Sequence, residues 1–369
     1  MKIVCSKSDL VSSISIVSKA VSSNKTSMSI LECILIEVSN GIIKFTANDK
    51  ELGIETRVTG KIEENGVVAL DANIFGNVIR NLPDGDITIK TDSSYKTSIT
   101  CMKAKFDLPG RSGEDFSNLP KVEKNDSITI SQYTLKEVIR QTIFAISSND
   151  NNKLLTGELF DIKGDKMRVV ALDGHRVAIR NIELRQSYDD KKVVIPGKTL
   201  NEISKILSGE IEKEVNIYFM ANHIVFEFDQ TVIVSRIIEG EFFDVDKMLK
   251  DSYVTKIDIN KKSLQETIER AILLIKDNDK KPVVIGINDT TMEFKIKSTI
   301  GSMDEFVDME KTGEDIVIGF NPKFVLEALR VIDDEKINIY MLDSRAPAFI
   351  KDDAGKYIYV ILPINFNTV

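Results

Sequence analysis

The chain has 369 residues, with 49 Lys and Arg against 57 Asp and Glu, a formal net charge of −8 and 42% apolar residues. That mixture fits two or three globular domains and excludes a disordered chain, a collagen and a basic nucleic-acid tail. No apolar run approaches the roughly 18 residues that a membrane span needs.

The first seven residues lack the apolar core of a secretory signal, and Cys5 stands too early to be a lipid anchor behind one. The three cysteines (Cys5, Cys33, Cys101) are widely spaced and fit neither a disulfide framework nor a metal site, so a reducing cytosol is expected. In chain order, apolar residues at helical spacing predict a first helix over 10–17, followed by an alternating strand over 42–46. An apolar pair at Ala69 and Leu70 leads into a short helix through Leu82, and a strand follows at 87–89. After a joint at 119–123, a helix is predicted over 135–143, then a strand–helix step from Val194 through Leu207, and strands at 215–218 and 225–228. A second joint at 250–253 precedes a helix over 264–272, a strand–helix step from Ile318 through Ile332, and a strand at 337–340.

These elements repeat. Leu10, Leu135 and Leu264 open equivalent helices 125 and 129 residues apart, each preceded by a Ser or Thr. Phe75, Leu200 and Phe324 hold equivalent places in the second series. Two series sharing one period predict three copies of an α+β unit, with domains at 1–122, 123–250 and 251–369.

Charge is distributed unevenly over this pattern. The six helical segments carry a net +8, leaving −16 on everything else. Lys136 and Arg140 are four apart and Lys198 and Lys205 seven apart, which places each pair on one helix side. If the six helices shared a face, that face would suit phosphate contact without base reading.

No phosphate-cradling loop, dinucleotide fingerprint or zinc-protease motif is present. The two histidines are His175 and His223, and the first lies in Asp173-Gly174-His175-Arg176. An Asp-x-His pair could orient a general base, which makes a hydrolase or lyase one candidate reading. A third catalytic group and a nucleophile elbow are missing. The plainer reading is a turn between strands 167–171 and 177–179. No metal ligand set and no cofactor are expected.

The stretches 156–160, 169–178, 238–244 and 359–364 resemble the signatures of the bacterial sliding clamp family, the beta subunit of DNA polymerase III. The resemblance spans the whole chain. It implies three clamp domains, each with two helices on antiparallel sheet, and a head-to-tail homodimer closing as a ring around duplex DNA. No catalysis is implied, only sequence-independent tethering. It also implies several partners that dock through short hydrophobic peptides: the replicative polymerase alpha subunit, the clamp loader, translesion polymerases and mismatch-repair proteins. A cytoplasmic, nucleoid-associated location without membrane contact follows.

Carried over by position, the resemblance implies a peptide groove of Leu155, Leu172, Gly174, His175, Arg176, Val177, Phe243, Lys247, Met248, Val360, Leu362, Pro363 and Ile364. Phe243 stands where the family often has Pro, and Lys247 where it often has Arg. The implied subunit contact sets Phe106 and Leu108 against Ile272 and Leu273. Expected DNA-facing residues are Lys19, Asn24, Lys25, Arg80, Lys136, Arg140, Asn149, Lys153, Lys198 and Lys205. Asn367, Thr368 and Val369 extend past the family's usual end, towards the groove. A peptide-binding scaffold unrelated to DNA is the remaining alternative, and it would be monomeric.

Overall fold

The structure is a computed structural model that describes residues 1–369 except 23–28, 123, 150, 250–251, 277–280 and 367–369. Several of its helices begin where a strand ends on a capping residue. Lys2–Ser6 runs into α1 (Lys7–Val17), where the Ser6 hydroxyl accepts from the Asp9 amide. Asp71 caps α2 (Ala72–Asn81) by accepting from Ile74 N, and Ser131 caps α3 (Gln132–Thr142) by accepting from Thr134 N at 3.0 Å. After α4 (Gly197–Ile206), Asn260 caps α5 (Lys261–Ile272), and Asn321 with Pro322 opens α6 (Pro322–Val331). Each cap satisfies an amide that the first turn leaves unpaired. It also explains why α1, α3 and α5 start three residues before the leucine that the apolar pattern marks: the cap, not the first apolar residue, sets the start.

The strands form four antiparallel sheets, and the chain divides into two compact units. The first unit holds residues 1–135 and 205–237. Its five-stranded sheet runs in the order Lys61–Glu64, Lys2–Ser6, Asp86–Thr91, Thr97–Cys101, Ala104–Leu108. Its eight-stranded sheet runs Ser127–Ser131, Glu214–Phe219, His223–Phe228, Thr231–Arg236, Leu52–Val58, Ile42–Asn48, Cys33–Ser39, Gly66–Asp71. At its middle Ile233 pairs with Ile54, and the Thr56 and Thr231 hydroxyls share a hydrogen bond of 2.9 Å.

The second unit holds residues 136–204 and 238–369. Its seven-stranded sheet runs Gly157–Leu172, Arg176–Pro196, Tyr357–Ile361, Ala348–Lys351, Lys336–Met341, Thr255–Asn260, Glu310–Thr312. Its four-stranded sheet runs Ser302–Asp308, Thr291–Lys297, Val283–Asn288, Ile316–Phe320. The middle third of the sequence is therefore shared out. Its strands 127–131 and 214–236 continue a sheet begun by the first third, while its long hairpin, Gly157–Pro196, continues into strands of the last third.

Strand alternation buries one face, as in Lys2–Ser6, where Ile3 and Cys5 point inwards. In the second unit α5 and α6 bury Leu264, Ile268, Val325 and Leu329 in one apolar cluster, and each such side chain contributes about 1.5–3 kcal/mol. All three cysteines are free and buried, and burial pushes the Cys5 thiol up to about 12.

Candidate functional site

The turn Asp173–Arg176 closes the long hairpin of the second unit. Asp173 Oδ1 accepts from the amides of His175 (2.9 Å) and Arg176 (3.1 Å). Asp173 Oδ2 accepts from Arg176 Nε at 3.1 Å. Gly174 sits at φ +88°, where a side chain would be strained. Both carboxylate oxygens thus serve the turn and Arg176, and none is turned to the His175 ring. That ring instead lies stacked on Phe324, 6.0 Å between centroids. The Asp–His dyad of the hydrolase reading is not formed, because the turn consumes the aspartate.

Arg176 is itself fully engaged. Its guanidinium donates to Phe144 O at 2.5 Å and pairs with Glu327. It lies 4.5 Å from the Phe324 ring centroid and 5.3 Å from that of Phe144. It is buried and acts as a brace rather than a free recognition group. Phe144, Phe324 and Glu327 are missing from the sequence-derived set because each lies far from the turn in the chain.

Beside the turn is an apolar floor. Leu172, Val177 and Val360 belong to one buried cluster with Val245, and Leu154, Leu155, Ile238 and Phe242 pack against it. Val177 pairs directly with Val360 across the sheet. Val360 is 0% exposed, so it supports the floor without presenting a surface. Phe243 is 49% exposed, with its ring edge-to-face on Phe242, and Met248 is also exposed. Lys247 pairs with Asp244 at 3.2 Å, and Arg168 with Asp246 at 2.6 Å, so short-range ion pairs hold the polar rim. The tail closes the arrangement: Leu362 N donates to His175 O at 2.9 Å, and Ile364 N to Gly319 O at 2.8 Å. Pro363 lies between them. Asn367, Thr368 and Val369 lie outside the described residues.

The basic residues fall into three groups. Arg80, Lys153, Lys198 and Lys205 are exposed, and Lys19 and Lys136 are half-buried. Arg140 is tied down by Glu137 and by Asp333 at 2.7 Å, and it donates to Val331 O. Its charge is therefore largely compensated, which its four-residue spacing from Lys136 does not reveal. Asn149 is exposed in a loop where it accepts from Asn151 N. Asn24 and Lys25 lie outside the described residues.

Among the described residues, two sheet-end strands carry an exposed aromatic side chain. Ala104–Leu108 ends the five-stranded sheet with Phe106 exposed and Leu108 half-buried. In the other unit Ser302–Asp308 ends the four-stranded sheet with Phe306 exposed. Leu273 is 76% exposed at the end of α5, whereas Ile272 packs partly on the core. Phe306 is a residue that sequence reasoning missed; its alternation with buried Val307 is the available signal. Among the described residues no group of three or more His, Cys, Asp or Glu could hold a metal, and no helix is long and apolar enough to cross a membrane.

Comparison with known proteins covers the whole chain. Residues 1–120, 129–244 and 247–365 match the family models for the N-terminal, central and C-terminal domains of the DNA polymerase III beta subunit. The beta sliding clamp of Staphylococcus aureus is 30% identical over 353 residues, covering 93% of each chain. Among solved structures, a DNA polymerase III beta subunit from Eubacterium rectale is 60% identical with a TM-score of 0.97, covering 100% of both chains. The DNA polymerase sliding clamp of Bacillus subtilis is 30% identical with a TM-score of 0.96, again over 100% of both chains.

Proposed function

Because the chain belongs to the DNA polymerase III beta-subunit family, the beta sliding clamps, which are non-catalytic processivity factors, we propose that two copies close head to tail into a ring around duplex DNA. The observation that carries this reading is the full-length match of all three thirds to clamp domains. The sheet edges at Ala104–Leu108 and Ser302–Asp308 give it a physical route. An edge strand presents unpaired amides and carbonyls that a second strand can satisfy. Ala104–Leu108 of one protomer pairs with Ser302–Asp308 of the other, and Phe106, Leu108, Ile272, Leu273 and Phe306 supply the apolar contact. Exposed Lys103 and Lys105 on one edge meet Asp304 and Asp308 on the other, which favours this pairing over like with like. The contact is heterologous, so two equal contacts are what close it.

A closed ring is retained by linkage, so its grip on DNA is weak and blind to sequence. Lys19, Lys136, Lys198, Lys205, Arg80 and Lys153 supply contacts of that kind, and binding before closure weakens steeply with salt. The groove beside the Asp173–Arg176 turn accepts extended apolar peptides of a polymerase and other replication and repair partners. Its apolar floor takes Leu and Phe side chains while the rim sets direction. The protein works in the cytoplasm, on the nucleoid.

Retention on DNA after loading tests the ring. The protein is expected to persist on circular duplex and to leave linear duplex from its ends; equal loss from both overturns encirclement. A solution mass near twice 41.4 kDa is expected, and a monomer at working concentration overturns the closure.

A further inference from the structure

The C-terminal tail joins two sheets of the second unit. Leu362 N bonds to His175 O and so extends the ladder in which Arg176 pairs with Ile361. Two residues later Ile364 N bonds to Gly319 O, on the outer edge of Ile316–Phe320, the last strand of the four-stranded sheet. Pro363, which has no amide to donate, falls at the crossing between the two sheets. Beyond it the Phe366 ring lies directly on Gly319. A Cβ added there would come within 2.6 Å of Phe366 Cδ1 and 2.9 Å of Ile364 O. Only a glycine admits this approach.

We propose that Phe366 is a positioning residue for the groove: its ring, seated on Gly319, anchors the end of the tail and thereby sets the place of Leu362, Pro363 and Ile364. This rests on the reading of that surface as a peptide site. A tail held by two main-chain bonds is weakly held by itself, since folding makes each such bond in exchange for one to water. The aromatic anchor supplies the area that keeps both bonds closed. Without it Ile364 loosens from Gly319, and a peptide meets a wall that must first be ordered. Affinity then falls by the fraction of time the wall is in place.

Binding of a fluorescein-labelled pentapeptide carrying one Leu and one Phe, followed by anisotropy on the full chain, tests this. Phe366→Ala is expected to weaken binding about tenfold with the thermal midpoint nearly unchanged, and Phe366→Leu to restore most of it. Gly319→Ala, which pushes the ring off its seat, is expected to mimic Phe366→Ala. Amide exchange at Ile364 should quicken in Phe366→Ala and Gly319→Ala but not in Phe366→Leu. Leu155→Ala, which alters the floor directly, is the companion variant. If it weakens binding while Phe366→Ala does not, the anchor is wrong and the groove stands. If neither changes binding, the groove reading falls and the anchor with it. Unchanged exchange at Ile364 in Phe366→Ala overturns the anchor by itself.

Discussion

Arg176 and Glu158 are both charged residues of the hairpin Gly157–Pro196, and both are buried. Arg176 meets two carboxylates, a carbonyl and two aromatic faces. Glu158 is 0% exposed, and neither of its oxygens has a hydrogen-bond partner. The Thr142 hydroxyl donates to Val138 O at 2.7 Å and offsets the effect of burial on Glu158 only in part. Burial therefore drives the Glu158 carboxyl well above its ordinary range, and it is held as the neutral acid. Around the Arg176 guanidinium the fold places partners on every side. Around the Glu158 carboxyl, burial outweighs the one hydroxyl, that of Thr142, that favours the charged form. Both residues are buried, and what differs is the set of neighbours each one meets.

The comparison breaks most visibly at Arg176. Arg176→Met removes one member of a buried, hydrogen-bonded pair and leaves Asp173 with its turn amides alone. Such losses cost about 3 kcal/mol or more. Urea unfolding of the variant should show that drop, and peptide binding should weaken with it, since His175 O and Leu362 N depend on the turn. A loss under about 1 kcal/mol would mean that the apparent brace is decorative.

Glu158 should respond in the opposite direction. Replacing it by Met removes an unpartnered buried polar group and should stabilise the fold by about 1–3 kcal/mol. The sign of the pH dependence follows from the raised carboxyl. Below its ordinary value of 4.5 both folded and unfolded chains hold the proton, and Glu158 contributes no slope. Above it the unfolded chain releases a proton that the folded chain keeps, so stability falls as pH rises towards the raised folded value. The slope approaches about 1.4 kcal/mol per pH unit for this one group. Glu158→Gln should remove that slope with little change near pH 4.5. Parallel pH profiles for the native chain and Glu158→Gln would show that Glu158 finds a partner after all.

The contrast also marks what a single sequence makes legible. The helices and their period are local and place α1, α3 and α5 within a few residues of each start; the Ser or Thr that precedes each leucine is a first-turn residue, and the caps are Ser6, Ser131 and Asn260. The Asp-Gly turn is local too. The long-range partners are not. Arg176 depends on Glu327, 151 positions away, and the eight-stranded sheet closes through Thr56 and Thr231, 175 apart. No periodicity in either segment specifies that pairing, so the middle third reads as one repeat without any sign that its strands join sheets with both neighbouring thirds. The surface beside the Asp173–Arg176 turn shows the same division. Leu172, Val177 and Val360, which the family resemblance names, share one buried cluster, whereas Phe144 and Phe324, which pack on Arg176, come from elsewhere in the chain. Glu158, inside a clear apolar strand pattern, gives no sign of its missing partner.

Arg140 lies between the two extremes and supplies the smallest expected effect. Like Arg176 it has two carboxylate partners, but Asp333 is 70% exposed and water competes for the pair. An exposed pair of this kind contributes under about 1 kcal/mol. Asp333→Asn should therefore change the unfolding free energy by less than that, since Glu137 retains Arg140 through three guanidinium contacts of 2.6–3.1 Å. The charge balance around the arginine shifts all the same, by one unit towards positive. Non-specific duplex binding by the open protein at low salt should rise slightly, and the gain should vanish as salt is raised. If Asp333→Asn costs as much stability as Arg176→Met, the difference between a buried and an exposed arginine brace fails here, and the helix end at Val331 depends on the pair.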